Sequence, residues 1–335
     1  MKSVRCAGGL TAFACALLLA ASARADWKQA VAYYNQGQFD KAIQELKPDL
    51  DKNPDWESGH RLVGLCYLNL KNNALAIVEL SRAVQLKTPV FVTYQGLAQA
   101  YYNSDRVDQC VQALTQGEPL AKQPAEQYSL HHMRGAAYYR LQRYEDVVED
   151  LTEAIRIKSS EWSDFSQLGV AYYNLGRFDE AVQTLQKALS LKSGDSVTTQ
   201  ILGKSYFKLG VAALSAKQYD RAADYLRKAA ANIPNDGYVF YNLGEASLFL
   251  NNHPEAEKAY NQALGLLPKN IDLYQRLGLV YEKQKKWDLS LNAYQKALEI
   301  SPLPAIKEAI ARVTELKKQG KTSSSTAAPG YGAFS

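Results

Sequence analysis

The chain has 335 residues, 47% of them hydrophobic and 22% charged, enough to bury a substantial core. Its formal charge of +5 comes from 39 Lys and Arg against 34 Asp and Glu, too even a balance for a dedicated nucleic-acid binder. Four His, four Cys and two Met leave little material for metal or nucleophile chemistry, whereas 22 Tyr are a compositional excess.

Residues 1–25 read as a secretory signal peptide. Lys2 and Arg5 precede an apolar run from Ala7 to Ala20, and Ala23-Arg24-Ala25 puts small residues before a cleavage point between Ala25 and Asp26. The run is shorter than the ~20 residues that span a bilayer, and no later segment reads as a membrane span; retention of the leader as an anchor is the alternative. The expected location is therefore outside the cytoplasm, in a bacterial periplasm or secreted. Cleavage removes Lys2, Arg5 and Arg24 but no acid, so the charge falls from +5 to +2. Cys6 and Cys15 leave with the leader. Cys66 and Cys110 then sit in apolar helical patterns, where a buried free thiol is expected rather than a disulfide framework.

From residue 23 onward a single pattern repeats. Leu168-Gly169-Val170-Ala171-Tyr172-Tyr173-Asn174-Leu175-Gly176-Arg177-Phe178-Asp179-Glu180-Ala181 has relatives at Tyr33–Ala42 and Gly135–Tyr144. With the small residue numbered position 8, units begin at 23, 57, 91, 128, 162, 203, 237 and 271, spaced 34, 34, 37, 34, 41, 34 and 34. Position 8 is Ala30, Gly64, Ala98, Gly135, Gly169, Gly210, Gly244 and Gly278; position 20 is Ala42, Ala76, Cys110, Val147, Ala181, Ala222, Ala256 and Ser290. Short side chains at both positions let two helices approach closely, so these positions mark the crossing within a hairpin. Position 24 is Leu or Tyr throughout and is expected to fill the space between units. Pro54, Pro234, Pro268 and Pro302, at position 32, stop the second helix. Apolar spacings of three and four residues are helical, with no strand-like alternation.

The chain thus resembles the tetratricopeptide repeat family from residue 23 to about 304. The resemblance implies an all-α fold: a right-handed superhelical solenoid of eight helix-turn-helix repeats over 26–303, with the first helix of each lining a concave groove. Three added residues near Gly117-Glu118-Pro119 and Gln123-Pro124 predict a looser turn before the fourth unit. Seven more precede the sixth unit, close to two helical turns, and Ser196–Ser215 lacks proline; a lengthened first helix is expected there. Residues 304–319 form an amphipathic capping helix with Ile306, Ile310, Val313 and Leu316 on one face. The Ser-, Thr-, Ala- and Gly-rich tail, 320–335, reads as disordered.

No catalytic motif emerges: there is no phosphate loop, His-Glu-x-x-His, Cys-x-x-Cys or haem site. The chain is read as a non-enzyme, without cofactor or metal. His60, His131 and His253 occupy packing positions, and carboxylates on the helix surfaces are expected to be solvated. Groove-facing candidates follow from the family pattern at positions 2, 5, 9, 12 and 13. In the first five units these include Tyr34, Asn35, Asn69, Gln99, Tyr102, Asn103, His132, Tyr139, Arg140, Tyr173 and Asn174, a neutral surface of Tyr and Asn. Asn amides pair with a peptide backbone in both directions, and Tyr adds apolar contact with a polar tip. In units six and seven, Phe207, Leu214, Tyr238, Tyr241, Leu248 and Phe249 are expected to cluster as an apolar patch, free for a partner or covered. The cationic clamp with which some relatives hold the carboxyl terminus of cytosolic chaperones is missing: positions 5 and 9 hold Trp27 and Val31, Arg61 and Leu65, Gln95 and Gln99, His132 and Ala136. The expectation is an exported interaction scaffold that binds an envelope protein, by peptide or helix, in its groove. A component of polysaccharide synthesis or export is the alternative. No nucleic acid is expected, and homo-oligomerisation stays open.

Overall fold

A computed structural model describes residues 25–325. The expected leader up to residue 24, and residues 326–335 of the expected tail, lie outside the described residues. The described residues are α-helical, apart from short turns and one 3₁₀ turn. In chain order the first eight helices are α1 (Ala25–Asn35), α2 (Phe39–Lys52), α3 (Glu57–Asn69), α4 (Asn73–Gln85), α5 (Phe91–Asn103), α6 (Val107–Gly117), α7 (Pro124–Arg140) and α8 (Tyr144–Ile157). There follow α9 (Trp162–Asn174), α10 (Phe178–Leu191), α11 (Ser196–Ser215), α12 (Tyr219–Asn232), α13 (Gly237–Phe249), α14 (His253–Leu266), α15 (Ile271–Lys283), α16 (Trp287–Ile300) and α17 (Pro304–Ser325). Contacts divide the chain into two compact units, ending and beginning at Gln167 and Leu168; each is a run of antiparallel hairpins.

Every hairpin turns in the same way. Position 15 has a left-handed backbone in all eight units: Gly37, Lys71, Asp105, Gln142, Gly176, Lys217, Asn251 and Lys285, with φ between 57° and 76°. The amide of position 16 donates to the carbonyl of position 11, and that of position 15 to position 12, as in Arg177 N to Tyr172 O at 2.9 Å and Gly176 N to Tyr173 O at 3.1 Å. This double bond pattern satisfies carbonyls that the helix end would leave unpaired. In several units the position-16 cation also lies over the position-11 ring: Arg106 over Tyr101, Arg143 over Tyr138 and Arg177 over Tyr172, each within 4.7 Å of the centroid.

The small residue at position 8 is a notch for position 24 of its own hairpin. A Cβ built on Gly64 would stand 2.6 Å from Leu80, on Gly135 2.5 Å from Leu151, and on Gly244 2.5 Å from the Tyr260 ring. Position 24 therefore does more than fill space between units, the role its size suggested. Position 20 is fully buried in each unit, and in the last hairpin Ser290 Oγ donates to Gly278 O at 2.8 Å. Cys66 and Cys110 are buried free thiols; burial pushes each up to about 12.

The two insertions take different forms. The first becomes a 3₁₀ turn, Glu118–Leu120, after which α7 starts four residues ahead of its unit on a Gln123–Glu126 capping box. The second lengthens α11 to 20 residues, against 13 for α9 and α13, opened by Asp195, whose side chain accepts from Thr198 N at 2.8 Å. At the end, Ile306, Ala309 and Val313 of α17 pack on Tyr294 and Ala297 of α16. The helix runs to Ser325, past the expected end at 319.

Candidate functional site

The groove-facing positions are occupied largely by bonds from one repeat to the next. In the compact unit that ends at Gln167, Asn69 Nδ2 donates to the Tyr34 hydroxyl at 3.4 Å and to Leu65 O at 2.8 Å. Asn103 donates to Asn73 Oδ1 at 3.2 Å and accepts from Gln99 at 2.9 Å. Arg140 lies over the Tyr102 ring at 4.6 Å, donates to Tyr102 O at 3.2 Å, and pairs with Asp105. Position 13 of one unit thus reaches the turn or last helical residues of the unit before it. Tyr34 is also set edge-on to Phe39 at 5.5 Å. Burial raises the Tyr34 and Tyr139 hydroxyls above their ordinary value, with the Asn69 bond opposing this at Tyr34. Asn35, Asn103 and Arg140 are exposed, whereas Tyr34, Asn69, Gln99, Tyr102, His132 and Tyr139 are half-buried.

Two carboxylates that surface patterning placed in solvent are buried. Asp150 is 2% exposed and accepts from His131 Nδ1 at 2.8 Å and from Arg134 at 2.7 and 2.8 Å. Arg134 also grips Glu118 at 2.7 Å, tying the 3₁₀ turn to α7 and α8; these bonds hold the Arg134 guanidinium above its ordinary value against the opposing effect of burial. Asp164 is 1% exposed and meets His132 Nδ1 at 2.6 Å and the Tyr128 hydroxyl at 3.2 Å. Tyr128 and His132 stack, centroids 5.4 Å apart. His131 and His132 thus turn away from each other to separate carboxylates, as neighbours on a helix must. Their partners lie 19 and 32 residues away, so no local motif announced them. Among the described residues no three His, Cys, Asp or Glu gather as a metal site.

In the compact unit that begins at Leu168, Tyr173 packs on Phe178 at 5.7 Å and exposed Asn174 bonds back to Val170 O at 2.8 Å. Four members of the expected apolar patch are half-buried against neighbouring cores. Phe207 and Leu214 pack into the α11–α12–α13 core beside Leu243 and Ala246, while Tyr241 and Leu248 pack against the core of α13 to α16. Phe249 is 55% exposed, but one face lies flat on Tyr219, centroids 4.5 Å apart and planes 9° off parallel. Only Tyr238, 58% exposed at the start of α13, stands away from such a stack. It borders a groove of about 940 Å³ between the first turns of α11, the α12–α13 turn and the end of α14. The sequence contained this feature in its 41-residue spacing. Its walls come from residues some 30 to 70 positions apart, so no local pattern marks the groove.

The repeat geometry agrees with direct comparison. Family profiles of the tetratricopeptide repeat match residues 28–88, 132–196, 165–235, 238–270 and 271–302, together more than half of the chain. This is a tetratricopeptide repeat protein. No curated protein matches it. Among solved structures, this tetratricopeptide protein is similar to the C-terminal part of a TPR repeat-containing protein from Cytophaga hutchinsonii, 12% identical, covering 85% of this chain and 99% of that one with a TM-score of 0.46. It is also similar to MamA from Desulfovibrio magneticus RS-1, 23% identical over 52% of this chain and 96% of that one, TM-score 0.36. A further MamA crystal structure is 21% identical over 53% and 93%, TM-score 0.38.

Proposed function

We propose that this tetratricopeptide protein is an exported scaffold that holds another protein of the cell envelope on the faces of its first helices and carries out no chemistry of its own. The observation that carries the reading is the repeat-to-repeat bonding of those faces. Tyr34–Asn69, Asn73–Asn103 and Tyr102–Arg140 fix side chains at a regular interval before any partner arrives. Preorganised contacts of this kind lower the ordering cost of binding, and repetition lets affinity grow with the number of units engaged. Export rests on the leader pattern of residues 1–25. Among the described residues no helix is long and apolar enough to cross a membrane. A glycan-binding role gains less support, because Tyr34, Tyr102 and Tyr173 already spend ring surface on Phe39, Arg140 and Phe178.

A photo-crosslinking residue placed at Asn103 or Asn174 should trap an envelope protein in intact cells, whereas one at Val78, exposed on α4, should not. Equal trapping from all three positions would sink the groove assignment. Amino-terminal sequencing of the exported form should begin at Asp26; a form that starts at Met1 in the cytoplasm would overturn the export reading.

A further inference from the structure

In two hairpins, positions 4 and 23 are a histidine facing a carboxylate. His60 Nδ1 lies 2.6 Å from Glu79 Oε2, and His131 Nδ1 lies 2.8 Å from Asp150 Oδ1. The fifth and seventh repeats carry Phe165 with Thr184 and Phe240 with Ala259 at the same places. The two histidines differ at the other ring nitrogen. His60 Nε2 lies 2.9 Å from Pro54 O, whereas the His131 ring, among the described residues, is bonded through Nδ1 alone.

A carbonyl oxygen only accepts, so His60 Nε2 carries a hydrogen. The short contact with Glu79 then holds a second proton between ring and carboxylate. This pair keeps one proton more than a neutral imidazole beside a carboxylate. His131 has no such need, because a neutral ring with its hydrogen on Nδ1 still donates to Asp150. Other charges around His60 are matched. Arg82 of α4 pairs with Asp55 at 2.5 Å and donates to Pro54 O at 3.4 Å. On α3, Glu57 accepts from Ser58 at 3.0 Å and faces Arg61 at 3.4 Å; at the end of α2, Asp49 pairs with Lys52 at 3.9 Å. What His60 grips is a joint. Pro54 lies in the α2–α3 turn, which leads into Trp56, and the Trp56 ring meets Trp27 of α1 at 5.6 Å.

We propose that His60 is a proton-operated clasp between the α2–α3 turn and α4, closed while the ring carries both protons and loosened when rising pH removes one. A neutral ring must give up either Pro54 O or Glu79, so the joint loses one charge-assisted bond. A bond that needs the proton stabilises the turn only while the proton is present. Its contribution is complete at low pH and is lost as pH rises. The clasp concerns how the first two hairpins are joined, whether or not a partner occupies their faces.

The test uses the full exported chain with isotope-labelled histidine, between about pH 5.5 and about pH 8.5, a span that covers ordinary imidazole titration. Hydrogen exchange at the amides of Trp56 and residue 60, which donate to Asn53 O and Trp56 O, should be corrected for intrinsic rates. Opening of this segment should grow about tenfold across the span, the equivalent of one charge-assisted bond. At the acid end, the imidazole nitrogen spectrum should show hydrogens on both His60 nitrogens, and loss of one should track the opening. His131→Gln should keep the step. His60→Phe plus Glu79→Ala, the pair that the seventh repeat carries, should remove it. Opening of the parent that does not change with pH overturns the proposal, as does the same step in the double variant. A His60 ring with a single hydrogen at the acid end overturns it too, read on the parent chain whether or not the double variant folds.

Discussion

Gly244 lies under the ring of Tyr260, where a Cβ would stand 2.5 Å away, while Ala98 holds the same position in a unit whose partner is Leu114. The notch is filled as tightly by Leu as by Tyr, since a Cβ on Gly64 or Gly135 would stand 2.6 or 2.5 Å from Leu80 or Leu151. Gly244→Ala should destabilise by about 2 kcal/mol from overpacking, and combined with Tyr260→Ala, which empties the space, the two costs should fall about 1 kcal/mol short of their sum. Urea unfolding of the four chains measures the cycle; strict additivity would contradict the pairing. The turn residues behave differently, because their side chains meet little. Lys217 sits at φ 59° and Gly176 at 76°. Relieving the strain with Lys217→Gly should stabilise by about 0.5–1 kcal/mol, and Gly176→Ala should destabilise by about 1 kcal/mol. Both shifts are readable as midpoint changes at constant slope.

Also at this scale, Cys66 and Cys110 carry thiols raised to about 12 by burial. An acid whose folded pKa lies above its unfolded value contributes stability that is complete below the unfolded value and is lost as pH climbs toward the folded one. Stability should therefore fall from about pH 9 toward 12, and Cys66→Ser plus Cys110→Ser should flatten that fall. In the native state at pH 8 neither thiol should react with a disulfide reagent, whereas both should in urea.

Among elements, α7 differs most from its counterparts. Its early start, the 3₁₀ turn before it, and the Asp150–His131–Arg134–Glu118 network belong together: the inserted residues need an anchor, and Arg134 supplies it from a buried carboxylate. Removing one partner of a buried ionic network leaves charges uncompensated. Asp150→Ala should cost about 3 kcal/mol, and hydrogen exchange should show the 117–124 segment losing protection first. An evenly spread loss would argue against the anchoring role. Much of the element scale was legible in advance, including the lengthened α11 and the capping α17, because helix periodicity and proline punctuation are local signals. The burial of Asp150 and Asp164 was not legible, since their histidine partners lie 19 and 32 residues away.

For the whole molecule, repeat architecture makes each hairpin depend on its neighbour, so a chain end needs a cover. Ile306 and Val313 provide it on Tyr294 and Ala297. Ile306→Asp plus Val313→Asp should release α17 and make α15 and α16 unfold before the rest, visible as a separate early transition in pulse proteolysis. A single unshifted transition would show that the helix is dispensable.

The sequence by itself determined the repeat, its phase, the hairpin turns and the kinds of residue at each position. These depend on spacing along one helix, and such spacing is written in the chain. Only the tertiary structure decided what those residues do. It showed that position 24 drops into the position-8 notch of its own hairpin. Asn69, Asn103 and Arg140, which the family pattern offered as a free binding surface, are bonded to the preceding repeat, and of the six expected patch residues four pack on two cores while Tyr238 and Phe249 stay exposed. Tyr238, exposed at the start of α13, borders the groove beside the inserted turns of α11. Contacts between repeats join residues some 30 positions apart, and side chains commit themselves there only after the helices have packed.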